Sequence, residues 1–327
     1  MRRRERGVVL IFVMGAVAVL AVIAVELASR ATTDVLLASR ASREAAFRRI
    51  SDSGIELAKG LLKEPESKSY DFWGERWNRS VRFTLSETES AEVQIADESG
   101  KINLVRGWEP ARLPAAIARV FEYVRRHEPG RTEELREVEA RLLGRLGLLA
   151  PREGEEPRKP DPLVTLDGLR EVGMSTRQVF GEGGLHRYFT CFGDGKVNLN
   201  TAPRAVLYAL DEEIDVTLAD QIAAWRGDAA GGRGIYRPFE ETKDLQLVDG
   251  VVERSAAGGS ARAVRNIYTK VQGRAAARST CFSIRVDCRV GDRLRTVWSF
   301  FEPGREEKAG AKPHRTLKVI AYEDILP

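Results

Sequence analysis

Met1-Arg2-Arg3-Arg4-Glu5-Arg6-Gly7-Val8-Val9-Leu10-Ile11-Phe12-Val13 opens the chain, and the apolar run that begins at Val8 meets no charge until Glu26. As a helix, Val8–Val25 spans about 27 Å, close to the hydrocarbon thickness of a bilayer. The arginines ahead of it (Arg2, Arg3, Arg4 and Arg6) favour the cytoplasmic side, so the bulk of the chain should face outward. Two fates fit such a segment. A secretory signal peptide would be cut after the run, around Leu27-Ala28-Ser29. A short leader would be cut before it, between Gly7 and Val8, so that the apolar helix is kept. The second is favoured, because no proline or linker separates the run from the helical pattern after it.

That helical pattern reaches Lys63, just short of Pro65. Alanine, leucine and glutamate dominate it, all good helix formers. Phe47, Ile50, Gly54, Leu57 and Leu61 recur at steps of three and four and predict one apolar stripe. The whole helix would be about 84 Å long. Its first half suits a membrane or a filament core, and its second half suits a sheet.

Beyond the helix the chain reads as a soluble globular protein. Of its 327 residues 43% are hydrophobic and 31% charged, enough apolar content for a core. The net charge of +4 comes largely from the leader, and the charge elsewhere is mixed in sign, as in Arg131 to Arg145. A nucleic-acid binder would carry a basic stripe on its folded part instead. Val81–Leu85 and Glu92–Ala96 alternate as a hairpin, and so do Phe282–Arg289 and Leu294–Phe300 around Gly291-Asp292. Leu317–Tyr322 is the last strand expected.

Between the two hairpins lies a helical region. Gly100-Lys101-Ile102-Asn103-Leu104 recurs as Gly195-Lys196-Val197-Asn198-Leu199, each copy with an aspartate upstream, Asp97 and Asp194. The repeat reads as two equivalent turns, with Gly for the bend and Asn and Asp for local backbone bonds. Helices are expected at Pro114–Arg126, at Thr132–Leu146 with Thr132 as cap, and at Leu166–Val172. After Asn198-Leu199-Asn200-Thr201-Ala202-Pro203 come a helix through Leu210, capped by Thr201 with Pro203 in its first turn, and another at Leu218–Arg226. Residues 151–162, 227–234, 256–261 and 302–313 read as linkers or loops.

The leader ending in glycine, joined directly to an apolar helix, resembles that of type IV pilin-like proteins. In them a prepilin peptidase cuts at the bond that corresponds here to Gly7–Val8. Most members carry glutamate at the fifth mature position, whereas this chain has Phe12. The Asn198, Asn200, Thr201, Pro203 motif with its two helices, followed by Phe239 and Asp244-Leu245-Gln246-Leu247-Val248-Asp249-Gly250-Val251, resembles the general secretion pathway protein K family of minor pseudopilins. So does Leu166-Asp167-Gly168-Leu169-Arg170-Glu171-Val172-Gly173-Met174. That family lacks the fifth-position glutamate.

The resemblance implies an α+β pseudopilin fold: a long N-terminal transmembrane and amphipathic helix on an antiparallel sheet, with a large inserted all-α domain of helix-hairpin-helix or SAM-like units. The expected division is leader 1–7, helix 8–63, first sheet part 64–103, insert 104–270 and second sheet part 271–327. The implied role is non-enzymatic, at the tip of a type II secretion pseudopilus in the inner membrane. The implied partners are minor pseudopilins I and J, the major pseudopilin, the assembly platform and prepilin peptidase, with calcium as the family's cation. A type IV pilus minor subunit and a membrane-anchored DNA-binding protein for DNA uptake are the alternative readings. Against DNA, the turn between the two helices is acidic, Asp211-Glu212-Glu213-Ile214-Asp215, and would repel phosphates.

No catalytic motif is present: no Gly-x-Ser-x-Gly, P-loop or His-Glu-x-x-His. Asp211, Glu212, Glu213 and Asp215 are the candidate calcium ligands by chemistry, although a charge run is ordinarily a solvated face. His127, His186 and His314 read as solvated. Cys281 and Cys288 sit on opposite faces of one strand and cannot bridge each other, which leaves Cys191 free or bridged to one of them.

Overall fold

The computed structural model describes residues 2–63, 69–149, 163–227, 237–254, 263–303 and 317–325. Helix α1 runs unbroken over Arg2–Lys63, taking in the leader residues as well as the apolar run. Its C-terminal third lies on a five-stranded sheet made of β1 (Val81–Ser86), β2 (Glu89–Asp97), β3 (Phe282–Val290), β4 (Arg293–Pro303) and β5 (Leu317–Ile325). The strands lie side by side in chain order, every neighbour antiparallel. Both hairpins form as the alternation predicts.

Alternation also decides what each face buries. Val93, Ile95, Ile284, Val286, Cys288 and Phe301 point toward α1 and meet Phe47, Ile50, Ile55, Ala58 and Leu62. Gly54 brings the helix axis close: a Cβ there would lie 2.8 Å from Val286 Cγ1 and 3.1 Å from Val93 Cγ2. The stripe differs from the expected one at its C-terminal end. Leu57 is 37% exposed and Leu61 half-buried, while Ala58 and Leu62 are buried in their place. A spacing of 3.6 residues per turn leaves two registers open at the end of a short stripe, and packing on the sheet selects the one with Ala58 and Leu62.

Residues 98–281 enter between β2 and β3 and build a second core. Helices α2 (Leu113–His127) and α3 (Thr132–Arg145) pack with α4 (Arg204–Ala209) and α5 (Val216–Trp225) around Ile117, Phe121, Leu142, Val206 and Ile222. Leu166–Val172 is a 3-10 helix. Trp298 and Phe300 point from β4 into this second core, on the sheet face opposite α1, and Phe300 stacks on Phe192 at 4.0 Å. The sheet is thus a shared wall between two cores.

Two expected caps are used otherwise. Thr132 is the first residue of α3, its hydroxyl donating to Pro129 O, and Arg131 is the N-cap. Pro203 is the N-cap of α4, and Thr201 turns to Asp97. All three cysteines are unbridged and buried. Cys281 lies in the insert core and Cys288 in the helix–sheet core, on opposite faces as the spacing demands. The expected linkers and loops at 151–162, 227–234, 256–261 and 302–313 lie wholly or mostly outside the described residues, as does His314.

Candidate functional site

The bare half of α1 is the first candidate surface. From Val13 the helix has a window of mean hydropathy 1.9 with none of it buried, and among the described residues it is the helix long and apolar enough to cross a membrane. Leu20, Val22 and Val25 face outward, as do Val35, Leu36 and Leu37 further along. Exposing so much apolar area in water is unfavourable by about 25 cal/mol per Å², and a lipid or protein surround would relieve it. Gly7, Val8 and Phe12 lie in the helical backbone of α1, and their side chains are outside the described residues.

The second candidate is the junction between sheet and insert, where the repeat resolves into matched turns. Ile102–Asn103 pairs in parallel with Phe189–Thr190, and Val197–Asn198 pairs in parallel with Ala275–Ala276. Asn103 Oδ1 accepts from the N–H of Val105 and of Arg106, while Asn198 Oδ1 accepts from Asn200 N–H. Asp97 Oδ1 accepts from Ser99 N–H and Asp194 Oδ1 from Lys196 N–H, each two residues on. Gly195, at φ 86°, lies so close to Gly107 that a Cβ would approach its Cα to 2.5 Å. The local-bond reading of these residues holds. Their parallel partners, far along the chain, carry no local signal.

Asn198 is the hub. Its Nδ2 donates to Asp71 O (3.0 Å), Asp97 Oδ2 (3.1 Å) and Ser279 Oγ (2.7 Å). Asn200 Nδ2 donates to Phe239 O and its Oδ1 accepts from Phe239 N–H, which ties the motif to the next segment. Asp97 also accepts from Thr201 Oγ1 and, at 2.5 Å, from Ser279 Oγ. Burial, with the carboxylate of Asp71 adding to it, pushes Asp97 up to about 6 despite its hydroxyl donors. Lys101 is ion-paired with Glu98, which also accepts from Ser283 Oγ at 2.7 Å. Arg226, 3% exposed, donates from its guanidinium to the carbonyls of Leu199 and Ala202. Ser279 lies in this network, before β3.

Beside this network opens a cleft of about 650 Å³, lined in part by Trp73, Asp97, Lys101, Tyr123, His186 and Thr201. His186 departs from the solvated reading. It is half-buried, edge-on to Trp298 at 5.6 Å, and its Nδ1 lies 3.1 Å from Val179 O. Burial, with the charge of Lys101, pulls it down to about 4, so it is neutral at pH 7. His127 stacks on Tyr123 at 4.1 Å at the end of α2.

The acidic run does not assemble a ligand set. Asp215 accepts from Leu218 N–H and caps α5, Asp211 pairs with Arg274 at 3.4 Å, and Glu213 pairs with Lys270. Glu212 stands among them on the connecting turn. Among the described residues no three His, Cys, Asp or Glu side chains are grouped to hold a metal ion. These four carboxylates, as arranged, do not fit calcium.

No protein-family model matches the chain, and no curated protein matches it. Among solved structures it is similar to a chain in the crystal structure of the GspK-GspI-GspJ complex from the enterotoxigenic Escherichia coli type 2 secretion system. The identity is 13% and the TM-score 0.54, over 88% of this chain and 99% of that one. The likeness is one of fold: a long apolar N-terminal helix on an antiparallel sheet in a mixed α/β protein, as in pseudopilins.

Proposed function

We propose that the chain is a non-enzymatic minor pseudopilin of a type II secretion system, acting at the tip of the pseudopilus to start or cap its assembly. The observation that carries this reading is α1 itself: docked on the sheet through its last third and bare along its apolar first half. A helix of that form can rest in the inner membrane and then pass into a filament core, with the folded head outside. The fold it shares with the secretion-complex chain agrees.

The tip position is supported by two features. Residues 98–281 add a second core to the head, and such bulk obstructs the stacking of another subunit above it. Phe12 offers no carboxylate to neutralise the amino terminus of a neighbour, and in apolar surroundings an unpaired charge is expensive. The partners proposed are minor pseudopilins of the I and J types, the major pseudopilin, the assembly platform, and prepilin peptidase acting at Gly7–Val8. The inserted α4–α5 pair is proposed to be of helix-hairpin-helix type, used here for packing: Arg119 of α2 donates to the carbonyls of Tyr208 in α4 and of Ile214 in the connection to α5.

Mass spectrometry of the mature N-terminus, on protein purified from membranes, tests the reading. A start at Val8 is expected. A start near Ser29 would discard the anchor and defeat the proposal. A deletion that spares secretion but abolishes piliation would move the chain to a type IV pilus instead.

A further inference from the structure

The cleft of about 650 Å³ beside the junction falls within the roughly 300–1,000 Å³ of ordinary ligand pockets. Three places wall it. The segment before β1 supplies Trp73, the end of α2 supplies Tyr123 with His127 stacked on it, and the 3-10 turn Leu185–Arg187 supplies the third wall together with Tyr188. Much of the charge around it is already matched. Lys101 is paired with Glu98, Arg204 with Asp220 at 3.3 Å, and Glu128 with Arg131 at 2.7 Å.

The turn differs. His186, Arg187 and Tyr188 are consecutive, all three line the cleft, and among the described residues each keeps a polar group that nothing in the chain satisfies. His186 donates from Nδ1 to Val179 O at 3.1 Å and is neutral at pH 7, which leaves Nε2 as an acceptor. Burial pushes the Tyr188 phenol up, so its hydroxyl stays a donor. The exposed Arg187 guanidinium has no carboxylate partner and lies 6.0 Å from the centre of the Tyr188 ring. The backbone that presents them is fixed. Tyr188 N–H donates to Leu185 O and Tyr188 O accepts from Ile102 N–H, both at 2.9 Å, while Leu185 and Phe189 are buried. A ligand that meets groups already held in place gives up less ordering entropy.

These groups ask for a carboxylate to face the guanidinium and the phenol, and for an N–H to face the imidazole. An acidic residue in an extended peptide carries both, since its main-chain N–H lies close to its side-chain carboxylate. A nucleic-acid strand fits less well: its phosphates call for a stripe of cations, whereas the turn supplies a single guanidinium.

We propose that this cleft docks an acidic, extended peptide segment of another protein, with Arg187 and Tyr188 holding a carboxylate and His186 Nε2 taking a main-chain N–H. The site is independent of the fate of α1, because a chain that starts near Ser29 keeps it. The two readings therefore fail separately.

The test is fluorescence anisotropy of a short blocked peptide of alternating glutamate and tyrosine, carrying an uncharged fluorophore and titrated with the full chain in detergent. Saturable binding is expected. Arg187→Ala should weaken it about tenfold, the loss of a hydrogen-bonded charge pair, and Tyr188→Phe by a smaller factor. Arg187 is exposed, so its replacement leaves the core untouched. Arg289→Ala removes another exposed arginine, on β3 and outside the cleft, and should leave binding unchanged. The same peptide with lysine for glutamate should not bind. Absence of saturable binding, an equal loss in Arg289→Ala, or tighter binding of a single-stranded oligonucleotide of the same charge would each overturn the assignment.

Discussion

Replacing Gly54 and Gly60 by alanine, one at a time, should move stability in opposite directions although the two sit on the same helix less than two turns apart. Alanine in place of glycine favours a helix by about 1 kcal/mol when nothing else changes. At Gly60 a new Cβ meets nothing within 4 Å, so Gly60→Ala should stabilise by about 0.5–1 kcal/mol. At Gly54 the Cβ arrives 2.8 Å from Val286 Cγ1 and 3.1 Å from Val93 Cγ2. Both valines are buried, Val93 on β2 and Val286 on β3, and a β-branched side chain has little freedom to turn away. The helix must lift off the sheet, an overpacking cost of about 2 kcal/mol that exceeds the propensity gain. Gly54→Ala should thus lose about 1 kcal/mol, and the two variants should differ by about 2 kcal/mol, roughly 30-fold in the unfolding equilibrium. Trp77 reports on this core directly, being 2% exposed and edge-on to Phe282 at 5.2 Å. Urea unfolding of the detergent-solubilised chain, followed by tryptophan fluorescence, gives the comparison. If Gly54→Ala proves as stable as Gly60→Ala, the close approach of helix and sheet is wrong.

Three further outcomes are expected. Cys191, Cys281 and Cys288 should resist maleimide in the folded chain and react fully in urea, since all are buried and burial pushes the Cys281 thiol well up; fast labelling of the native protein would contradict this core. His186→Gln should make the chain less sensitive to acid. The folded imidazole titrates near 4 and the unfolded one near 6.5, so its contribution is full above 6.5 and lost as pH falls toward 4, at most about 3 kcal/mol. Melting curves of both forms at pH 7.5 and 5.0 should diverge at the lower pH, and parallel shifts would exclude the effect. Asn198→Ala removes the donor to Asp71, Asp97 and Ser279 and should cost about 2–3 kcal/mol, more than Asn78→Ala, which loses one half-buried bond to Trp73 O. Equal losses in urea titrations would show that the hub carries no special weight.

The elements legible in the sequence are those that repeat a period. The strands around Gly291 and the run from Val8 to Lys63 announce themselves by alternation and by helical spacing, because burial on one face imposes them. Thr132 and Thr201 pass for caps because a hydroxyl before a helix looks the same whether it bonds to its own backbone or to a distant carboxylate. The junction is hidden for a related reason. Asp71, Asp97, Asn198 and Ser279 are polar residues at strand ends or in connecting segments, which by composition resemble solvated loop, and only the fold brings them from four places into one buried site. Conversely, Asp211, Glu212, Glu213 and Asp215 look like a ligand cluster in sequence, yet capping and ion pairs send them in different directions.

The interruption between β2 and β3 also dictates an order of events. Glu89–Asp97 pairs on one side with β1, a few residues back, and on the other with Phe282–Val290, which is made only after residues 98–281. During synthesis α1 and the first hairpin can associate early, but the central ladder has to wait, and pairings of such high contact order form slowly. Through that interval one edge of β2 is a bare template for strand addition by any passing chain. A holdase that met this chain during its synthesis would therefore have a defined target, the inner edge of β2, and a defined moment of release, when Phe282–Val290 emerges to close the sheet.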